Sequence, residues 1–529
     1  MEARLRWFLF IAITFTFGLM GWWLNDSWQF MSEEGAFLSS RALIAGRGDP
    51  VSLENIGLVY PPLAFYMAVP LTWLWIFHPA VWLSAIWAGG FTFWLMREFT
   101  QFPFREKWLG FVALLLPLQP GVFHSAATGG TLIVFMTIFT VGLFLTARFA
   151  LDQEVLETAR IRGSMSAWIN SAEYMNERVR YLWSAALCFG LAGFCRFDLL
   201  LGLAVLLPMT PLLLIPSDRG DFWKIITLSL LLFLPLIATQ FIWGYLTWVF
   251  TGDFFYALKH PSTYFRQVSS ELLTHPLLLG LQGKPLESIG YVGVSMFISF
   301  PIFAYLLIRI RNFAVTILFL TPVVVEGLGA AYGMSVMNRS YLSFAGILSI
   351  VLFLLCMIYR RFTRLESYLV PVALMVCTFF SWQYFSQSPF SEERIWKQMI
   401  EGDHASVRRF LPERELAEHI EAGGFSEGGV LLDEQQAYAM ITLSNHPRQF
   451  TLPYQKRYVV ALQNPALIVE AVGFRVPSIA PGTRDRVSER WALLDNRSTG
   501  AFELEQEFGP WRFYRRTLGA TPEQITATR

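Results

Sequence analysis

Apolar runs of nearly twenty residues, separated by short polar breaks, fill residues 1–386, and a more polar stretch with shorter periods makes up the rest. Each run can cross the roughly 30 Å hydrocarbon layer of a bilayer as a helix, which satisfies its own backbone polar groups. The pattern predicts spans near 7–25, 79–96, 108–127, 131–149, 181–196, 199–215, 225–249, 291–308, 313–334, 341–359 and 366–385, about eleven transmembrane helices. The stretch 63–77 is apolar but short, and Pro61, Pro62 and Pro70 interrupt it, so it reads as an interfacial or re-entrant piece. Residues 151–180 read as a polar insert with an amphipathic helix.

From residue 387 the pattern changes. Glu392 to Glu421 reads as a helix ended by Gly423-Gly424. Gly429 to Asp433 reads as a buried strand and Gln435 to Ser444 as a helix. Gln449 to Leu452 and Tyr458 to Leu462 read as further strands, and Ala501–Leu504 with Trp511–Tyr514 as a hairpin. This alternation predicts a soluble α/β domain, 387–529, behind a membrane domain, 1–386.

Composition sharpens the class. The chain is 54% hydrophobic and only 15% charged, against about 25% charged in ordinary soluble domains. A polytopic α-helical membrane protein is the reading. A net charge of +1 gives no case for nucleic acid. Cys188, Cys195, Cys356 and Cys377 all lie in apolar runs, so no disulfide framework is implied. No small-residue cleavage site follows the first run, which reads as a retained anchor. Lys and Arg gather in one set of loops, Arg4, Arg6, Arg97, Lys107, Arg148, Arg180, Arg309 and Arg361 among them. The opposite set holds only Arg41, Arg47, Arg196, Lys259, Arg266, Lys284 and Arg339. By the positive-inside rule the N-terminus is cytoplasmic. Loops 26–60 and 250–290 and the C-terminal domain are then extracytoplasmic.

The external side carries the candidate chemistry. Glu33 and Glu34 follow the first span directly, with Asp26 before them, Arg41 after them and Tyr60-Pro61-Pro62 beyond. A carboxylate at the membrane surface can take a proton from an acceptor hydroxyl. Two loop glutamates can equally well do no more than solvate the loop. Arg196 in Phe194-Cys-Arg-Phe-Asp198 and Arg339 in Asn338-Arg-Ser-Tyr341 lie at outer helix ends, where an arginine can meet phosphate. Arg196 can instead form a structural pair with Asp198. Lys259, His260 and Arg266 sit in the second external loop, as phosphate contacts or as plain solvated residues. His124 reads as structural. No Walker motif, GxGxxG, HExxH or Cys/His metal spacing occurs, so nothing points to ATP, NAD or zinc.

Glu33-Glu34, the Ala- and Arg-containing segment after them, Tyr60-Pro61-Pro62 and, more weakly, Arg196 and Arg339 resemble the GT-C superfamily of membrane glycosyltransferases. The protein mannosyltransferases and aminoarabinose transferases are its examples. The family more often has Asp at the first acidic position, and Ser340 stands between Arg339 and Tyr341, where the family motif has none. The resemblance implies an inverting transfer from a polyprenyl-phosphate-linked sugar to an extracytoplasmic glycan, lipid or protein in the bacterial inner membrane. It implies Glu33 as general base and Glu34 as its orienting partner. Arg339, Arg196 and Lys259 would hold the donor phosphate, and Tyr60, Asp26, Arg41, His260 and Arg266 would contact substrate. No cofactor is implied in the closest branches, while the oligosaccharyl branch uses a divalent cation. Three other readings stay open. They are a non-catalytic scaffold subunit with membrane protein partners, an O-antigen ligase or polymerase, and a transporter. The short 335–341 loop counts against a ligase, and an apparent lack of intramembrane acids counts against a transporter.

Overall fold

The structure, a computed structural model, describes residues 2–52, 62–74, 78–100, 104–161, 172–196, 199–214, 219–255, 276–332, 342–388, 390–476, 485–490, 498–499 and 501–517. The chain divides into two compact units. One comprises Met1–Leu19, Leu58–Ala64 and Ser84–Gly402; the other comprises Met20–Gly57, Phe65–Leu83 and Asp403–Arg529.

The first unit is helical. Among the described residues six helices are long and apolar enough to cross a membrane: Ala3–Ser27, Pro79–Phe99, Leu132–Glu154, Phe222–Val249, Phe313–Ala331 and Arg364–Ser386. A seventh arises if Pro285–Ser299 and Ile302–Ile310 form one span, but these are bent by 100° at the Phe300-Pro301 break. These helices make the chain an integral membrane protein. Three of the expected spans are broken, each at proline. The run 108–127 is a 3-10 helix, Phe104–Leu115, followed by a short α-helix, Pro120–Thr128, with Pro117 between them. The run 199–215 stops as a helix at Met209, after Pro208, and ends in a 3-10 turn that starts Thr210-Pro211. Proline lacks the N–H that the ladder needs and clashes with the preceding turn. Pro62–Trp73 is a helix of 12 residues, well short of a span.

Helix Ala172–Cys195 packs against both Leu132–Ile161 and Phe222–Thr251. Phe135, Phe139, Phe189 and Phe233 meet along these contacts, each ring about 5–6 Å from the next. Phe313–Ala331 packs on Pro285–Ser299 so closely at Gly327 that an added Cβ would lie 2.5 Å from the Ile289 Cα. Leu230, Leu234, Ile237, Phe241, Tyr245 and Trp248 recur every three or four residues on one exposed face of Phe222–Thr251. In a bilayer such a stripe faces lipid. Ion pairs tie one set of helix ends: Arg148–Glu98 at 3.5 Å, Arg361–Glu154 at 2.6 Å and Arg309–Glu366 at 2.7 Å.

The second unit is built on a six-stranded sheet of order β2-β1-β3-β6-β5-β4. Its strands are β1 Val430–Leu431, β2 Phe450–Thr451, β3 Ala471–Arg475, β4 Ser498–Thr499, β5 Phe502–Phe508 and β6 Trp511–Arg516. β1 pairs in parallel with β2 and β3, and the remaining pairs are antiparallel. Successive side chains alternate between two cores, as the strand period requires. Val430, Ala471, Trp511 and Phe513 face one core with Leu416, Ile420 and Met440. Leu431, Val472 and Tyr514 face the other with Tyr458 and Val487. The expected strand at Tyr458–Leu462 is instead part of a helix, Lys456–Gln463. Tyr458 and Ala461 point inward while Val459 and Val460 are exposed, a helical spacing of three. The expected helix 392–421 is interrupted at Gly402, whose φ is +74°, and resumes as His404–Val407 and Leu411–Ala422.

Ile44, from the loop after the first span, is fully buried in the first of these two cores. Met31 and Ala36 pack on Ala439. The Thr442 hydroxyl donates to the Ala36 carbonyl at 2.8 Å. Segment 20–57 therefore folds as part of the C-terminal unit.

Candidate active site

Glu33 and Glu34 open a helix, Glu33–Arg47. Ser32 caps it, its Oγ accepting the Gly35 N–H at 3.0 Å. Both acids lie in the first turn, where the helix dipole favours negative charge. Behind them the helix is buried from Gly35 to Gly46, so the acids stand at the rim of a packed element.

The Glu33 carboxylate lies 3.5 Å from the Arg409 guanidinium, with 17% and 18% of these side chains exposed. The Arg409 N–H donates to the Gln29 carbonyl at 3.1 Å and ties residues 403–410 to the turn before the acids. Arg414 donates to the Asn25 side chain at 2.8 Å. Burial lowers the Arg414 pKa from its usual value, with Glu418 and Asp26 opposing. His78 is 5% exposed, and burial followed by the charge of Arg414 pushes it down to about 3, so its imidazole is neutral at neutral pH. Asp26 is exposed at the end of the first helix.

Arg41, one of the expected substrate contacts, lies inside the packed unit. It is 3% exposed, its guanidinium lies 2.6 Å from Glu434 and its face covers the Phe37 ring at 5.2 Å. Arg41 ties the acidic helix to helix Glu434–Ser444.

In the membrane unit Arg196 forks onto Glu326, at 2.5 Å and 3.3 Å, and stacks over Phe135 at 5.0 Å. The side chains are 13% and 2% exposed. Glu326 lies on helix Phe313–Ala331, so the membrane unit does hold an acid within an apolar span. Asp198, the partner considered for Arg196, lies outside the described residues, as do Tyr60, Pro61, Lys259, His260, Arg266 and Arg339. His124 is buried, and its Nδ1 accepts from the Trp396 indole at 3.2 Å. Among the described residues no group of three or more His, Cys, Asp or Glu could hold a metal.

Sequence reasoning missed Arg409, Arg414, His78, Glu434 and Glu326. A lone acid in an apolar run was a legible signal for Glu326. The others gave none, because their partners lie far away in sequence.

No protein-family model matches the chain, and no curated protein matches its sequence. Two solved structures align along nearly its whole length. ArnT from Cupriavidus metallidurans in the apo state aligns at 13% identity and a TM-score of 0.43, covering 99% of this chain and 100% of its own. The archaeal oligosaccharyltransferase AglB from Archaeoglobus fulgidus, in complex with an inhibitory peptide and a dolichol-phosphate, aligns at 11% identity and a TM-score of 0.41. That alignment covers 97% of this chain and 75% of AglB. Likeness at this level assigns no role to any residue.

Proposed function

We propose that the chain is a membrane glycosyltransferase of the GT-C kind. It moves a sugar, with inversion, from a polyprenyl-phosphate donor to an extracytoplasmic acceptor. The observation that carries this reading is the acid pair at a capped helix start, with Glu33 partly exposed beside a guanidinium. A base must be reachable by its substrate and held in one place, and Glu33 meets both needs.

In the proposed reaction Glu33 takes the acceptor hydroxyl proton. The oxygen attacks the anomeric carbon opposite the phosphate, and the carbon–oxygen bond to phosphate breaks. Polyprenyl monophosphate leaves with the electron pair. Arg339, Lys259 and Arg196 are the cations proposed to neutralise it, Arg196 also pairing with Glu326. Asp26, Tyr60, His260 and Arg266 are proposed to contact sugar or acceptor, while Arg41 positions the helix. The reading includes about eleven spans, a cytoplasmic N-terminus and an external C-terminal domain in the inner membrane.

The test is release of polyprenyl monophosphate from polyprenyl-phosphate hexose and pentose donors in proteoliposomes. Glu33→Gln is expected to slow release by about 10²–10⁴-fold. Near-normal release by that variant would move the base to Glu34 or Asp26. A transporter reading draws on the buried Arg196–Glu326 pair and the 100° helix break. It requires solute movement into sealed vesicles without donor cleavage.

A further inference from the structure

We infer that Arg409, from the C-terminal region, is a positioning residue for Glu33, so that the acidic site of the first loop is complete only when residues 403–529 are docked on it. The inference rests on the reading of Glu33 as base, and it adds a residue that the first loop does not contain.

Three observations converge. The guanidinium faces the Glu33 carboxylate at 3.5 Å, with both side chains more than four-fifths buried. Arg409 is fixed through its own backbone, which donates to Gln29 three residues before the Ser32 cap. Its successor, Phe410, sits at φ +56°, a left-handed conformation costly for an aromatic residue. Phe410 holds that shape with its ring against Tyr438 at 6.0 Å. Tyr438 in turn lies 5.7 Å from Phe37 on the acidic helix itself. The chain therefore bends at Phe410 to bring Arg409 onto Glu33, and the same contacts clamp the helix that carries the acid.

Such a cation does two things. It fixes the rotamer of the carboxylate through a charge-assisted contact. It also favours the charged form, so that Glu33 is ready to accept a proton. Glu34 lies on the same helix, Asp26 and Glu418 act on Arg414, whose charge in turn acts on His78, and His404 and Arg408 precede Arg409 in the chain. His78 is neutral at neutral pH.

The experiment reads Glu33 directly and needs no donor. The full-length protein in detergent is treated with a water-soluble carbodiimide and glycine ethyl ester across pH 4–8. Modification of the Glu33 peptide is then followed by mass spectrometry. Carbodiimide attacks the protonated carboxyl, so the midpoint reports the titration of Glu33. In Arg409→Gln the midpoint should rise by about one pH unit or more, and Arg409→Lys should restore most of the shift. Thermal melting of each variant separates this from loss of fold. An unchanged midpoint in a folded Arg409→Gln protein overturns the inference. An altered midpoint alongside normal donor cleavage by Glu33→Gln keeps Arg409 as the partner of Glu33 and removes the catalytic reading instead.

Discussion

Two arginine–glutamate pairs, one in each unit, use the same chemistry for different ends. Arg196 and Glu326 meet at 2.5 Å in a forked contact, the acid 2% exposed and the arginine lying on an aromatic face. Arg409 and Glu33 meet at 3.5 Å, each about one-sixth exposed. The first pair is closed. Removing one member alone breaks a buried charge pair, whereas replacing both with apolar residues of similar volume is often neutral. The second pair is the more exposed of the two and stands at a capped helix start. The two pairs differ in access more than in residue type, the acid being 2% exposed in one and 17% in the other.

The largest expected effect falls on the closed pair. Glu326→Gln removes the carboxylate onto which Arg196 forks and should destabilise the protein by about 3–5 kcal/mol, seen as a large drop in detergent melting temperature. A double variant, Arg196→Met with Glu326→Leu, should recover most of it. If the single variant melts like wild type, the pair is not the clamp described here.

Next come two buried titratable groups of the second unit, with opposite signs. Asp485 is 1% exposed, and burial with the nearby Asp433 carboxylate pushes it up to about 7. Its folded value exceeds its unfolded value of 3.8. The proton is bound more tightly in the folded state, so this contribution is complete below about pH 4 and is lost as pH rises through about 7. His78 is pushed down to about 3 from 6.5. Its contribution is present above pH 6.5 and declines as pH falls toward 3. Melting curves at pH 5 and pH 8 should therefore separate the variants. Asp485→Asn should lose the part of stability that grows on acidification. His78→Gln should lose the part that shrinks. A shared direction for the two variants would contradict this assignment of burial.

The smallest effect is on the more exposed pair. Glu33→Gln should change stability by less than about 1 kcal/mol, as for other partly exposed ion pairs, while slowing transfer by about 10²–10⁴-fold. A destabilisation as large as that of Glu326→Gln would erase the contrast between the two pairs.

Much of the architecture follows from local pattern. The apolar runs at 7–25, 79–96, 131–149, 225–249, 313–334 and 366–385 all appear as long helices, because a twenty-residue apolar stretch has few other ways to satisfy its backbone. The hairpin at 501–514 and the helix at 435–444 follow from equally local periods. Pro235, Pro322 and Pro371 sit inside unbroken helices, but at other places the pattern misled. Phe300-Pro301 broke an expected span, and Val459-Val460 suggested a strand where the buried positions, Tyr458 and Ala461, are three apart. The acid pair itself was legible, since its place after the first span needs only counting.

The tertiary structure alone decided what surrounds those acids. Arg41 reaches Glu434 across 393 positions, Glu33 reaches Arg409 across 376 and Arg196 reaches Glu326 across 130. No local period encodes such pairings. They arise when the loop after the first span buries Ile44 in the sheet domain's core, a long-range packing choice that brings distant charges together. Sequence determined which residues could carry chemistry, because residue type and nearness to an apolar run are local properties. Folding decided which of them are locked as struts and which are left within reach, because burial and partner distance are properties of the packed chain.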